Sequence, residues 1–174
     1  MEPLAKLCHL TTLEFAMSKL YYQQAKSPFG DMHLYANDSA LCALLFKPWD
    51  LVSKEQILTQ SNPIIEQTLQ QISEYFQGDR IAFNVPISAN GTEFQTKVWK
   101  ELVNIPFGKT WSYGELANAI GNPKASRAVG AANGKNPISI IVPCHRVIGA
   151  NGSLTGYAGG LKAKSWLLQH EKSL

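Results

Sequence analysis

Residues 141–148, with the sequence IVPCHRVI, contain the side chains that could do the most specific chemistry in this chain. Cys144 supplies a thiol, and His145 beside it supplies an imidazole that titrates near neutral pH. The thiolate is a strong nucleophile, and a nearby positive charge such as that of Arg146 lowers a thiol's pKa. On this adjacency alone a buried, inert cysteine is the simpler interpretation, because free cysteine is among the most buried residue types.

The apolar run before Cys144 is predicted to hold the thiol at the end of a strand. Residues 138–142 are mostly β-branched, which is typical of a short buried strand. Pro143 cannot donate a ladder hydrogen bond, so the strand is expected to end there. Cys144 would then lie at the junction of a rigid element and a loop, a common position for a functional residue.

The composition is that of an ordinary globular protein. The chain has 174 residues, of which 45% are hydrophobic and 17% charged, and its net charge is +3. That charge is compatible with nucleic-acid binding but too small to argue for it alone. Cys8, Cys42 and Cys144 are odd in number and widely spaced, which favours a reducing compartment. No CxxC or Cys/His cluster indicates zinc, so we expect no metal and no cofactor.

Nothing in the sequence predicts a membrane association. No stretch approaches the ~18–20 consecutive apolar residues of a membrane-spanning helix. Charged residues interrupt the first twenty positions, which are therefore not a secretory signal. We expect a cytoplasmic protein.

The first half is predicted to form a small antiparallel sheet with helices. Turn signals punctuate the apolar runs between Tyr21 and Phe46, as hairpins require. Asn62 and Pro63 are typical of a helix start, and Gly78 of its end. Residues 81–88 are predicted to be extended and to cross between the two halves. The apolar stripe predicted for the helix comprises Ile65, Leu69, Ile72 and Phe76.

The second half is predicted to be mostly helical. Capping boxes at 92–95 and 112–115 each precede an amphipathic run. Gly121 is expected to end the second helix, and another short helix is expected over about 124–133. Two short helices joined by a tight glycine-containing turn are typical of a helix-turn-helix.

These elements predict an α+β protein with two domains. Residues 1–88 would form an α/β domain with a structural role. Residues 89–174 would form a helical domain containing the helix-turn-helix and a short strand bearing Cys144.

The second helix of the pair is unusually rich in small residues, which leaves two interpretations open. Small side chains allow close packing against the protein core or close approach to a nucleic-acid groove. Arg127 is the lone long cation among them, and a lone helical arginine is usually a solvated surface charge. The small residues are Ala125, Ser126, Ala128, Gly130, Ala131, Ala132 and Gly134.

Several motifs of the second half follow one another in an order and at a spacing that together indicate a family. They are FG at 107–108, SYGELA at 112–117, GNPKASRAVG at 121–130, NP at 136–137, PCHRV at 143–147, GYAGGL at 156–161 and WLLQHE at 166–171. Together they resemble the O6-alkylguanine-DNA alkyltransferases, a family of direct-reversal DNA repair proteins. The resemblance covers residues 92–171, and the first half is similar only in outline, at 27–30.

The resemblance implies that Cys144 is the alkyl acceptor. In the family a water bridges the cysteine and a histidine, a glutamate orients the imidazole, and an asparagine braces the active-site turn. The matching residues are His145, Glu171 and Asn136. Considered without the family, Glu171 would be a surface charge near the chain end and Asn136 a loop cap.

The resemblance also implies a mode of DNA binding. In the family the second helix of the motif lies in the minor groove, and its arginine takes the place of a flipped-out nucleotide. A tyrosine crowds the phosphate 3′ to the target. Arg127 and Tyr113 match these two residues, and Ser126, Ala128 and Gly130 share the DNA-facing helix. Flipping is required because O6 of guanine lies within the stacked duplex.

The glycine-rich loop, residues 149–160, walls the guanine pocket in the family. The pocket residues implied here are Tyr157, Ala158, Gly159 and Val147. The family often has a hydroxyl at the position of Ala158, so here only the backbone N–H could donate to O6. Without the family, a loop with five glycines could be a mere flexible connector.

The function implied is irreversible, single-turnover transfer of an alkyl group, chiefly methyl, from O6 of guanine to Cys144. The partner would be double-stranded DNA carrying that lesion, or O4-alkylthymine, and the free protein would be a monomer. Two alternatives remain: a lesion-binding protein without catalysis, and a cysteine hydrolase. The presence of Cys144 argues against the first, and the lack of a deacylating arrangement argues against the second.

Overall fold

The computed structural model describes residues 19–172, which form two compact units divided between Asn90 and Gly91. The described part of the first unit, from residue 19 onward, contains a four-stranded sheet with the order β3-β2-β1-β4 and one α-helix. Strands β1, β2 and β3 are antiparallel neighbours, and β4 pairs parallel to β1. The elements are β1 (Leu20–Ser27), β2 (Gly30–Ala36), β3 (Leu41–Leu45), β4 (Ile57–Leu58) and α1 (Pro63–Gln77). The predicted hairpins and helix are thereby confirmed.

The ends of α1 form as the sequence predicts, but its buried face differs from the predicted stripe. The Asn62 side chain accepts a hydrogen bond from the N–H of Ile65, and Gly78 ends the helix with a φ of 87°. The buried face comprises Ile65, Thr68, Gln71, Ile72 and Tyr75, whereas Leu69 and Phe76 lie at its edge, partly exposed. Thr68 can be buried because its hydroxyl donates to the carbonyl of Ile64 at 2.7 Å.

Residues 81–88 are extended and pair with the end of the sheet. The N–H of Leu41 donates to the carbonyl of Pro86, and the N–H of Ser88 donates to that of Leu41. Phe83, Val85 and Ile87 alternate into the core. This segment is therefore part of the first unit.

The described part of the second unit contains four α-helices, two 3₁₀-helical turns and a short parallel strand pair. The helices are α2 (Glu93–Leu102), α3 (Tyr113–Ala119), α4 (Ser126–Gly134) and α5 (Gly160–Lys172). Strand β5 (Trp111–Ser112) pairs with β6 (Val147–Ile148). Both predicted capping boxes are formed, at Thr92 with Gln95 and at Ser112 with Glu115. Gly121, with a φ of 74°, ends the first helix of the predicted helix-turn-helix, α3.

This arrangement brings the cysteine segment beside the helix-turn-helix. Strand β5 runs directly into α3, and β6 begins at the end of the helical turn that Cys144 opens. The pairing of β5 with β6 therefore joins the cysteine segment to the helix-turn-helix. Helix α2 supports α4 from behind, because the fully buried Trp99 donates its indole N–H to the carbonyl of Ala132 at 2.9 Å.

The predicted strand over 138–142, with Cys144 at its end, is wrong. Residues 139–142 form buried turns, Ile140 has a φ of 71°, and Cys144 opens the 3₁₀-helical turn Cys144–Arg146. Burial of a β-branched run does not require a strand when its backbone groups find other partners. Here the Asn136 side chain supplies them, since it binds the N–H of Ile138 and the carbonyl of Val142.

No helix among residues 19–172 is long and apolar enough to cross a membrane.

Candidate active site

Cys144 is buried within the second unit, where the residue is only 4% exposed. The Cys144 N–H donates to the carbonyl of Val142 at 2.8 Å, and its own carbonyl accepts from the Asn133 side chain at 3.4 Å. The side chain of Asn136 also acts on the thiol, whose pKa it lowers. The nucleophile is therefore held by backbone and amide contacts on a tightly turned segment.

Asn136 organises this turn from inside the core. Its amide nitrogen donates to the carbonyl of Val142 at 2.8 Å, and its oxygen accepts from the N–H of Ile138 at 3.0 Å. The residue is 4% exposed, so water does not compete for these hydrogen bonds. Asn136 thus braces the turn before Cys144 and lowers the pKa of the thiol.

His145 and Glu171 form a fully buried pair. The distance between His145 Nε2 and Glu171 Oε1 is 2.8 Å, and the two side chains are 0% and 1% exposed. Glu171 lies in the last turn of α5, which folds back on the 3₁₀-helical turn containing His145. The isolated sequence made Glu171 resemble a surface charge, whereas the fold places it in the interior.

Arg146 completes the network around Glu171. Its Nε and Nη2 donate to the two carboxylate oxygens, each at 2.9 Å, and its Nη1 donates to the carbonyl of Ile105 at 2.7 Å. The guanidinium also lies 5.7 Å from the centre of the Phe107 ring. The N–H of Gly108 donates to Glu171 Oε2 at 3.2 Å. Glu171 is therefore bound by three different residues.

These contacts set the charge of each member of the network. Burial favours the protonated acid, but hydrogen bonds from His145 and Arg146 outweigh it and lower the pKa of Glu171 to about 2. Burial lowers the pKa of His145, although Glu171 opposes the change. Near neutral pH the pair is therefore a carboxylate facing a neutral imidazole.

The tautomer of His145 follows from this charge assignment. A carboxylate accepts a hydrogen bond, so Nε2 is the protonated nitrogen and Nδ1 carries the free lone pair. Within residues 19–172, Nδ1 has no hydrogen-bond partner. A buried base with an available lone pair is thus presented directly after the cysteine in the chain.

The thiol's pKa does not follow the sequence prediction. The basic neighbours were expected to lower it, but burial raises the pKa of Cys144 above its usual value, against smaller opposing effects that include Asn136 and Lys164. Arg146 does not lower the thiol's pKa, because its positive charge is paired with the carboxylate of Glu171. Cys144 is therefore a protonated thiol that needs a base.

The outer face of α4 is open. Arg127 and Ala128 are exposed, whereas Ser126 and Gly130 are partly exposed. Tyr113, at the start of α3, lies across from Gly130, whose absent Cβ would stand 3.6 Å from the Tyr113 ring. An open cavity of about 440 Å³ is lined by Tyr113, Ser126, Arg127, Gly130 and Thr155. Four of the five residues assigned to DNA by the resemblance, all but Ala128, thus line one cavity.

The predicted pocket residues occupy different depths. Tyr157 is partly buried, and its ring centre lies 6.4 Å from that of His145. Ala158 is exposed and Gly159 is partly buried in the glycine-rich loop. Val147 is completely buried, where it pairs with Trp111.

Three residues of the site were missed from the sequence. Arg146 was considered only as a neighbouring charge, and Thr155 was not considered, although its hydroxyl donates to that of Tyr113 at 3.0 Å. Lys164 is fully buried on α5. One signal could have revealed it: Lys164 shares a helix face with Leu167 and Glu171, where a solvated lysine is not expected.

No group of three or more His, Cys, Asp or Glu side chains in the described part of the chain is arranged to hold a metal ion. The chemistry of the site is that of a thiol, an imidazole, a carboxylate and two basic side chains.

Two family models match the chain. The model described as "6-O-methylguanine DNA methyltransferase, DNA binding domain" matches residues 93–173. The model described as "6-O-methylguanine DNA methyltransferase, ribonuclease-like domain" matches residues 20–89.

Individual relatives match over nearly the same length. A methylated-DNA–protein-cysteine methyltransferase of Methanosarcina acetivorans is 46% identical over 155 residues, which are 88% of this chain and 99% of that protein. One of Mycobacterium tuberculosis is 46% identical over 154 residues, 88% of this chain and 93% of that protein.

Solved structures agree with these matches. The crystal structure of M. tuberculosis O6-methylguanine methyltransferase is similar with a TM-score of 0.81 at 46% identity, covering 88% of this chain and 93% of that one. A structure of M. tuberculosis OGT in complex with DNA is similar with a TM-score of 0.79, at the same identity and coverage.

Proposed function

We propose a function for this chain, which belongs to the 6-O-methylguanine DNA methyltransferase family. The protein binds double-stranded DNA and transfers an alkyl group, chiefly methyl, from O6 of guanine to Cys144. O4-alkylthymine is a second substrate. One observation carries the proposal: a buried thiol is followed by a buried imidazole whose Nε2 is held by Glu171 and whose Nδ1 is left available.

Cys144 is activated when the nucleophile is needed. Burial keeps the thiol protonated in the free protein. The proton passes to Nδ1 of His145, directly or through one bridging water, and Glu171 stabilises the imidazolium that forms. Arg146 and Gly108 hold Glu171 in place for this role, while Asn136 holds the turn that leads to Cys144.

The transfer step is a displacement at the alkyl carbon. The thiolate forms a bond to the alkyl carbon, the bond from that carbon to O6 breaks, and its electron pair remains on the guanine. The guanine takes up the proton that left the thiol, passed on from the His145 imidazolium, so the base is restored, His145 is neutral again and the protein carries a thioether. Water does not open a thioether under mild conditions, so each molecule acts once.

Access to O6 requires extrusion of the base. We assign the exposed face of α4, with Arg127, Ala128, Ser126 and Gly130, to the minor groove. Arg127 fills the place of the flipped nucleotide, and Tyr113 displaces the phosphate 3′ to it. The extruded base lies against Tyr157 and Gly159, and the N–H of Ala158 donates to O6. Extrusion costs about a few kcal/mol and less for a poorly paired base.

The two units have different roles in this proposal. The second unit binds DNA and carries out the transfer, and the first unit has a structural role. The protein is cytoplasmic, and in the absence of DNA it is a monomer. Light scattering combined with size-exclusion chromatography would test the monomeric state. Val147 supports the pocket from the core, because its side chain is completely buried.

The proposal is tested by label transfer. Duplex DNA containing O6-methylguanine with a labelled methyl group is mixed with the protein, and the label is mapped by peptide mass spectrometry. We expect one label per protein molecule, located on Cys144. Lesion binding without transfer would favour a binding protein, and repeated turnover would favour a hydrolase; either result contradicts the proposal.

Replacement of Arg127 by alanine should slow repair of duplex DNA by about tenfold to a hundredfold, because part of the extrusion energy is lost. Reaction with free O6-benzylguanine, which needs no extrusion, should stay within about twofold in rate. The measurement compares single-turnover rate constants for the two substrates.

Lys124→Ala is the matched control for Arg127→Ala. Lys124 is also an exposed cation, in the turn before α4. Its loss should weaken DNA binding through the phosphate charge without slowing the saturated rate. If Arg127→Ala slows both substrates by the same factor, Arg127 acts in the pocket or the fold instead of in extrusion.

A further inference from the structure

Lys164 is completely buried, although lysine is almost never fully buried unless it is paired. Its Nζ donates to two backbone carbonyls, those of Val147 at 2.5 Å and Thr155 at 2.8 Å. Within residues 19–172 no carboxylate forms an ion pair with it. The chain thus places a buried ammonium group where a neutral donor could have satisfied the same carbonyls.

The two carbonyls belong to different parts of the site. Val147 lies in β6, three residues after the nucleophile, and Thr155 lies in the glycine-rich loop. The loop residue also donates its hydroxyl to Tyr113 at the start of α3. A single side chain therefore connects the segment after Cys144 to the loop, and through it to the helix-turn-helix.

The ammonium group also lies close enough to the thiol to affect its ionisation. Burial raises the pKa of Cys144, and the charge of Lys164 opposes that rise. Burial lowers the pKa of Lys164, and the thiolate opposes that fall. Each buried charge is therefore less costly when the other is present.

A charge inventory of the site singles out Lys164. Arg146 and Glu171 neutralise each other through two hydrogen bonds, and His145 is neutral near neutral pH. Among the described residues around the thiol, Lys164 is then the cation without a counter-charge. The titratable and charged groups facing this region are His145, Arg146, Tyr157, Lys164 and Glu171.

We propose that Lys164 is a positioning residue for alkyl transfer, which ties the glycine-rich loop to the segment after Cys144 and holds a positive charge beside the thiol. The inference rests on the proposed function of the site, and it adds the group that stabilises the thiolate before attack. His145 accepts the proton, and Lys164 balances the negative charge left on sulfur.

The test measures thiolate formation without using DNA. Wild type, Lys164→Gln and Lys164→Arg are treated with iodoacetamide from pH 5 to pH 10, and modification of Cys144 is followed by peptide mass spectrometry. Glutamine keeps N–H donors but removes the charge, whereas arginine keeps the charge. Lys162→Gln, at an exposed position on the same helix, is the matched control.

We expect the Lys164→Gln profile to move to higher pH, with a rate at pH 7 about tenfold lower, as a shift of one pKa unit requires. Lys164→Arg and Lys162→Gln should retain the wild-type midpoint. An unchanged midpoint in Lys164→Gln, or an equal shift in Lys164→Arg, would overturn the charge role. Since iodoacetamide needs no DNA, this result is independent of the label-transfer experiment, whose failure would contradict the proposed function alone.

A second measurement uses the wild-type protein and does not depend on whether the variants fold. The ¹⁵N resonance of the Lys164 ammonium is titrated before and after Cys144 is blocked with methyl methanethiosulfonate. Blocking removes the thiolate, so Lys164 should lose its proton at a lower pH. An unchanged titration would overturn the proposed coupling.

Discussion

Replacement of Cys144 by serine is expected to abolish alkyl transfer while lesion binding remains. Asn136 binds backbone atoms of Ile138 and Val142, which the substitution does not change, so the turn should retain its shape. A serine hydroxyl is a far weaker acid and nucleophile than a thiol, and burial disfavours its anion further. The rate should fall by several orders of magnitude, as measured by label transfer under single-turnover conditions. Gel-shift affinity for lesion DNA should stay within about twofold, since the exposed face of α4 is unchanged.

Cys42→Ala is the matched control for this variant. Cys42 is also a buried thiol, and burial raises its pKa to about 11, so it is not a competing nucleophile. Transfer by Cys42→Ala should match that of the wild type. Label arriving on Cys8 or Cys42 in the wild type would contradict the assignment of Cys144.

Replacement of Glu171 by glutamine should impair both stability and rate. It leaves the buried guanidinium of Arg146 without its counter-charge, and breaking a buried pair in this way costs about 3–5 kcal/mol. It also weakens the orientation and basicity of His145, so single-turnover transfer should slow by about a hundredfold or more. Affinity for DNA should change little because Glu171 is buried.

The pH dependence of folding provides a separate check on Glu171. Its pKa in the folded protein is about 2, below the ordinary value of 4.5, so its contribution to stability is present above pH 4.5. That contribution should be lost as the pH falls from 4.5 towards 2. Urea unfolding at a series of pH values should show this loss in the wild type and a smaller one in Glu171→Gln.

Glu93→Gln serves as the control, because Glu93 is an exposed carboxylate in the same unit. This replacement should alter the unfolding free energy by less than about 1 kcal/mol. A Glu171→Gln variant with an unchanged transfer rate would remove Glu171 from the mechanism. One with unchanged stability would contradict the role of the buried ion pair.

The sequence by itself determined the elements whose signals are local. Asn62, Thr92 and Ser112 cap their helices, and Gly78 and Gly121 end theirs, as predicted. Each of these signals depends on atoms only a few residues apart along the chain, so neighbouring residue types are sufficient to reveal it. The motif order around Cys144 likewise indicated the family.

Only the tertiary structure decided the environment of the reactive groups. The run before Cys144 is equally apolar as a strand or as a buried turn, and the choice depended on the side chain of Asn136. The pairing of Glu171 with His145 and Arg146 joins residues 26 and 25 positions apart, and it required α5 to fold back on the 3₁₀-helical turn.

Burial explains the remaining differences. A sequence shows that Arg146 and Lys164 are basic, but a pKa depends on desolvation and on the groups that the fold brings close. Here Arg146 forms an ion pair with Glu171, Lys164 is buried beside the thiol, and burial raises the pKa of Cys144. Charge in the sequence could therefore suggest an activated cysteine, while only the packed core decided that the thiol is protonated until His145 takes its proton.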